Sequence, residues 1–157
     1  MSARLRPLRA DEFASFYERA QAGYAASIEH AGGWTHEAAV AKAERDMTEL
    51  WPDGLATADQ WVYVVEDESG EEVGDLWVAE REVSGRQALF VYDVEIGEKH
   101  RGHGFGRAAM LLAEDEARAR GLSFVALNVF GGNEVARNLY RSLGYEEMAV
   151  AMGKELA

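Results

Sequence analysis

The stretch Lys99-His100-Arg101-Gly102-His103-Gly104-Phe105-Gly106-Arg107 decides how this chain is read. Glycines at alternate positions strip side chains from a loop, and a helix-forming run, Ala108 to Arg120, follows at once. Glycine takes positive φ at little cost and lets a ligand approach bare backbone N–H groups. A helix start adds unpaired donors and a partial positive charge, so the two together make a seat for an anion. The whole chain carries 16 Lys+Arg against 28 Asp+Glu, a formal net charge of −12, yet Lys99 to Arg107 contains cations and histidines and no acid. A basic island on an acidic chain points to a phosphate-bearing ligand.

Before that loop the sequence pattern has a period of two. Trp61 to Val65, Val73 to Glu80 and Ala88 to Ile96 read as strands separated by Asp67-Glu68-Ser69-Gly70 and Ser84-Gly85, an antiparallel meander. Earlier still, Arg4 to Leu8 reads as a first strand. Phe13, Phe16, Tyr17, Ala20 and Tyr24 recur at helical spacing, so Asp11 to about His30 is an amphipathic helix ended by Gly32-Gly33. Thr35 is placed to cap a second helix through Val40, Ala43, Met47 and Leu50. After the loop, Phe124 to Phe130 is a nearly continuous apolar strand, Asn133 caps a helix from Glu134 to Leu143, and Tyr145 to Met152 reads as the last strand. Strand–loop–helix–strand around Ile96 to Phe130 makes those two strands parallel. The expected fold is α+β: a central, mostly antiparallel sheet with one parallel strand pair that splays apart, and helices on both faces.

Size and composition set bounds. At 157 residues, 48% of them apolar, the chain is expected to form one domain with a real core. It has no run of membrane-spanning length, no signal-peptide pattern and no cysteine, so a cytoplasmic address is the simplest expectation. Absence of cysteine excludes disulfides, thiolate metal sites and a cysteine nucleophile. His30, His36, His100 and His103 show no metal-ligand spacing on a shared helix face, so no metal is expected. Strong acidity disfavours nucleic acid as a partner, and nothing points to a membrane.

The loop itself rejects two familiar nucleotide motifs. Arg107 stands where a dinucleotide fingerprint needs its third glycine, and Gly106-Arg107-Ala108 fails the end of a P-loop. The remaining pattern is Arg-x-x-Gly-x-Gly, Arg101 to Gly106, a weak signal alone. A second motif lies some thirty residues on: Asn133-Glu134-Val135-Ala136-Arg137-Asn138-Leu139-Tyr140-Arg141-Ser142-Leu143-Gly144-Tyr145. Together, in this order and spacing, the two resemble the GNAT superfamily of N-acetyltransferases. The similarity covers roughly Val73 to Leu156. The first sixty residues match only by two helices after one strand.

That resemblance implies one N-acetyltransferase domain over residues 1–157, with 1–59 forming the acceptor side and 60–157 the sheet and acetyl-CoA core. It implies acetyl-CoA as cosubstrate, its pyrophosphate held by backbone amides of Arg101, Gly102, His103, Gly104, Phe105, Gly106 and Arg107. The pantetheine arm would pair with Val94, Glu95 and Ile96. Asn133 would line the arm, and Tyr140 would be the acid that protonates the departing thiolate. A phenol at a positively polarised helix end suits that role. The proline usual after the strand is replaced by Glu98. A homodimer is a further implication of the family.

The attacking ammonium must lose a proton to a carboxylate or to a water held by one. Glu95 is the first candidate and Asp93 the second, since they share one face of the strand. Asn128, at the same end of the next strand, is a candidate for orienting the acceptor. Among Tyr24, Trp34, Trp51, Trp61 and Trp77, only Trp34, in a loop, stands out as an acceptor-site candidate. The expected function is acetyl transfer from acetyl-CoA to a primary amine of a small molecule or peptide. The alternative is a non-catalytic acyl-CoA-binding or sensing module.

Overall fold

A computed structural model describes residues 2–157. Strand β1 (Ala3–Pro7) leads through a 3-10 turn at Ala10–Glu12 into α1 (Phe13–His30), and α2 (His36–Leu50) comes next. The first turn is 3-10 because Glu12 reaches back to the Arg9 N–H (2.8 Å) and holds the entry tight. Thr35 caps α2 as expected, its hydroxyl accepting from the Ala38 N–H at 3.2 Å. Small residues let the two helices pair closely: Ala25 and Ile28 pack on Ala39 and Ala43.

The meander is β2 (Gln60–Asp67), β3 (Glu72–Val83) and β4 (Arg86–Ile96). Helix α3 (Phe105–Ala119) carries the chain to β5 (Val125–Leu127), and α4 (Glu134–Ser142) ends the regular structure. Strand order is β1-β2-β3-β4-β5, antiparallel up to β4. The last pair is parallel, with Leu89, Phe90 and Val91 opposite Val125, Ala126 and Leu127.

Helices cover both faces of the sheet. On one face Val65, Leu76, Val78, Leu89 and Val91 meet Phe105, Ala109, Met110 and Ala113 of α3. On the other, Val62, Val64 and Trp77 meet Phe16, Ala20, Met47 and Trp51. Phe16, Met47, Leu76, Leu89 and Met110 are fully enclosed, each contributing about 1.5–3 kcal/mol of burial.

A bulge shapes the site end of this sheet. Trp77 sits opposite Asp93 while Val78 sits opposite Val91, so Tyr92 is one residue too many. A bulge bends its strand and re-aims the side chains beyond it. The β4–β5 ladder stops at Val91 and Leu127, and the two chains separate past that point.

Two expected strands differ. The strand expected over Phe124 to Phe130 is only Val125–Leu127, because β4 turns away at the bulge and leaves Asn128 to Phe130 without a ladder partner. The strand expected over Tyr145 to Met152 is absent. Tyr145 tucks against the core, but Met148, Val150 and Met152 stand exposed. The outer edge of β5 stays unpaired, because β5 is only three residues long and the segment after α4 does not run back along it.

Candidate active site

The glycine loop forms a bare helix start. Gly102 and Gly104 have φ of 76° and 85°, and Gly104 is the N-cap of α3 with no side-chain cap. Helices α2 and α4, in contrast, are capped by Thr35 and Asn133. The amides of Gly102, His103 and Gly104 donate no hydrogen bond among the described residues. A Cβ at Gly102 or Gly104 would meet nothing within 4 Å, so the loop lies open to a ligand. Orphaned N–H donors at an uncapped, positive helix end suit a diphosphate.

The cations of the loop divide. Arg107 bonds the Ser142 hydroxyl at 3.0 Å, tying the start of α3 to the end of α4. Arg101 donates to the Ile96 carbonyl (2.9 Å) and to Glu95 Oε1 (2.8 Å). His103 is exposed and lies 3.2 Å from the His100 carbonyl. His100 is half-buried, its ring edge-on to Phe105, so it supports the loop rather than facing solvent.

At the mouth of the strand separation, three carboxylates face the α1 side of the sheet. Asp75 and Glu95 are cross-strand partners, as are Trp77 and Asp93. Glu95 is exposed and paired with Arg101; Asp75 is paired with Arg19 of α1 at 2.8 Å. Asp93 has no ion-pair or side-chain hydrogen-bond partner among the described residues. Its burial, then the charges of Glu95 and Asp75, push its carboxyl up to about 7. A carboxylate poised near neutrality accepts and returns protons efficiently.

Tyr140 stands across the gap. It packs with Tyr145 against the α3 core, ring centroids 6.0 Å apart. Burial, then the Asp93 charge, raises its hydroxyl above the ordinary range. It therefore stays protonated and able to donate. It lies in the last turn of its own helix, so the positive helix end beside it is that of α3. There Ser142 holds Arg107, and Leu139 lies 3.5 Å from where a Gly106 Cβ would be.

The remaining candidates separate. Asn133 spends its side-chain oxygen capping α4, bonding the Ala136 N–H at 3.2 Å. With Phe130, Gly132, Val135 and, from α1, Ala26 and His30, it lines an open groove of about 600 Å³. Asn128 is exposed just past β5. Trp34 is 45% exposed in the α1–α2 loop, and it does not line that groove. Trp51 and Trp77 are core, Trp61 stacks under Arg120, and Tyr24 bonds Asp46. Sequence reasoning missed Asp75 and the Tyr92 bulge. The bulge does leave a trace: the residues facing α3 switch from odd positions, Leu89 and Val91, to even ones, Val94 and Ile96.

Among the described residues, no helix is long and apolar enough to cross a membrane, and no group of acids and histidines is arranged to hold a metal ion.

Comparisons with known proteins identify the family and the fold. The family model of the acetyltransferase (GNAT) family matches residues 29–145. The uncharacterized N-acetyltransferase YycN of Bacillus subtilis is 31% identical over 99% of this chain and 100% of its own length. Its crystal structure superposes with a TM-score of 0.92, covering 99% of each chain. YdgE of the same organism, also described as an uncharacterized N-acetyltransferase, is 28% identical over 99% of both chains. A structure of AAC(6')-Iy in complex with a CoA-containing bisubstrate analogue shares the fold alone, at 14% identity and a TM-score of 0.64. The chain belongs to the GNAT acetyltransferase family and is an acyl-CoA-dependent N-acyltransferase.

Proposed function

We propose that this family member moves an acetyl group from acetyl-CoA to a primary amine by direct transfer within a ternary complex. The observation that carries the reading is the Asp93 carboxyl, without a cation to pair with, at the mouth of the gap and close enough for its charge to act on Tyr140, with the bare start of α3 beside them. Acetyl-CoA supplies an acyl thioester, already activated toward an amine. The amides from Gly102 to Arg107 hold its diphosphate, the Arg101 amide being spent on the Glu98 carbonyl; Val94 to Ile96 offer backbone to its arm, and Asn133 lies along the groove.

Asp93 takes the proton from the incoming ammonium, leaving a neutral nitrogen lone pair. That nitrogen forms its bond to the carbonyl carbon as the carbon–sulfur bond breaks. Tyr140 gives its proton to the leaving sulfur, the new amide nitrogen gives up its surplus proton to restore the Tyr140 hydroxyl, and Asp93 releases its proton to solvent, so atoms and charge balance. A backbone N–H around Glu95–Ile96 polarises the carbonyl. Without a cysteine there is no thiol to form an acyl-enzyme. Much of the rate comes from orienting two reactants in one cleft.

Glu95, exposed and held by Arg101, orients the acceptor, with Asn128 at the neighbouring strand end and Trp34 in the α1–α2 loop. The acceptor is a small molecule or a peptide. Release of free thiol from acetyl-CoA against a panel of amines tests the reading. Amine-dependent release is expected. Tight acetyl-CoA binding with no release for any amine would instead favour the binding module.

A further inference from the structure

Tyr92 and Asp93 are neighbours in the chain, yet both face the α1 side of the sheet. Alternation along a strand sends adjacent side chains to opposite faces, and the bulge at Tyr92 cancels it at this one step. Tyr92 joins the cluster of Phe16, Met47 and Trp77, while Asp93 stands opposite Trp77. The Tyr92 ring is held by two neighbours, stacked on Trp77 and edge-on to Phe90, with centroids 4.7 Å away in each case. Its hydroxyl accepts a hydrogen bond from Arg81 Nη1 at 3.0 Å. The Arg81 guanidinium in turn lies 4.7 Å from the Phe90 ring centroid.

Arg81 differs from the other cations around the sheet. Arg4, Arg6, Arg19 and Arg120 each hold a carboxylate. Arg81 is exposed on β3 and has no carboxylate partner among the described residues, although the chain carries 28 acids against 16 cations. Arg86, which also has none, lies over Phe124 at 4.0 Å on the same face of the β3–β4 hairpin. A guanidinium offers five N–H donors in one plane, and Arg81 spends one of them on Tyr92. Stacking fixes that plane in advance, so little freedom is lost when a ligand binds. Because the Tyr92 hydroxyl accepts from Arg81, its own hydrogen is left to donate outward. A fixed guanidinium beside a phenolic O–H suits a carboxylate or a phosphate.

We propose that Arg81 and the Tyr92 hydroxyl bind an anionic group on the acceptor, so that the preferred substrate is an amine carrying a carboxylate or a phosphate at its far end. The inference rests on the amine-acetylating reading above. The ammonium goes to Asp93 at the mouth of the gap, and the anion goes to Arg81 and Tyr92. With adjacent Cα atoms about 3.8 Å apart and the length of a tyrosine between them, the two stations are roughly 10 Å apart. On a body of net charge −12 an anion approaches where cations stand unpaired. Arg81 and Arg86 are such cations, on the same side of the sheet as Asp93.

Thiol release with ε-aminocaproate, aminohexyl phosphate and n-hexylamine tests this, since the three share one chain length and only the last lacks an anion. At least one anionic amine should have a KM about tenfold below that of n-hexylamine, and the lower of the two identifies the anion. Arg81→Met keeps an apolar cover over Phe90 and removes the charge. It should raise that KM about tenfold with kcat unchanged. The KM for n-hexylamine should stay where it was, a split that a merely structural arginine would not give. Arg45→Met removes the same charge from the exposed side of α2 and should change neither KM. Calorimetry with CoA in place of acetyl-CoA reads the same preference without turnover. Binding of an anionic amine through Arg81 with no thiol release would defeat the transfer reading alone. Equal affinity for charged and neutral amines overturns the present proposal. So does a preference that survives Arg81→Met, or one lost equally in Arg45→Met.

Discussion

Two carboxylate clusters lie along the same sheet and behave in opposite ways. In the first, Arg6 meets Glu12 (3.0 Å), Glu66 (2.9 Å) and Glu72 (2.8 Å), Arg4 adds a second bond to Glu66, and Arg9 adds a second to Glu12 (2.8 Å), so three arginines face three glutamates. Every acid has a cation, and the Glu12 carboxyl falls to about 2, driven first by its bond from Arg6. In the second, Arg19 and Arg101 serve Asp75 and Glu95, and Asp93 is left over, pushed up to about 7. Both clusters are built from the same residue types. Matching of charge makes the first a clasp between β1, β2 and α1's entry. The shortfall in the second leaves one carboxyl available for chemistry.

That contrast predicts its own most severe disruption. Asp93→Asn should lower kcat about 10²–10³-fold at about pH 8, the usual scale for loss of a general base. The same change should stabilise the fold. A carboxyl whose pKa is raised on folding favours the native state below its unfolded pKa and costs stability as pH rises through its folded one. The variant should therefore gain on the order of 2 kcal/mol at about pH 8 and nothing below about pH 4. Denaturant titrations at the two pH values check this.

Gly104→Val comes next. With φ at 85°, a branched side chain costs about 1–2 kcal/mol of strain and shields the amides that hold phosphate. Calorimetry on the folded variant should show affinity for CoA reduced roughly a hundredfold. Tyr140→Phe should lower kcat roughly 10–100-fold with CoA affinity unchanged, a split that a purely structural tyrosine would not give. Smallest is Glu12→Gln, which should cost about 1 kcal/mol at neutral pH. The loss should vanish as pH falls from about 4.5 toward about 2, since a lowered carboxyl pKa stabilises only above that window. Activity should be unchanged. A catalytic defect in Glu12→Gln as large as that of Asp93→Asn would break the contrast between the clusters.

Period and punctuation reveal the meander, the α1–α2 pair, the parallel crossover and the bare helix start, because each rests on local spacing or on glycine. The glycines at 102 and 104 do take positive φ. The illegible part depends on contacts between distant segments. Glu95 and Asp93 look equivalent along a strand. Only the folded chain puts Arg101 on one and leaves the other beside Asp75 and Tyr140. Tyr145 to Met152 has the alternation of a strand, but pairing is a property of the edge it meets. The pattern alone does not say that no edge of its own chain receives it.

The pH dependence of kcat/KM for thiol release, measured on wild type, Glu95→Gln and Asp93→Asn with one amine, tests the central claim most directly. The expected rate rises through about pH 7 in wild type and at lower pH in Glu95→Gln, where one of the charges raising Asp93 is gone, with a low profile lacking that limb in Asp93→Asn. A limb that survives in Asp93→Asn and disappears in Glu95→Gln would contradict it.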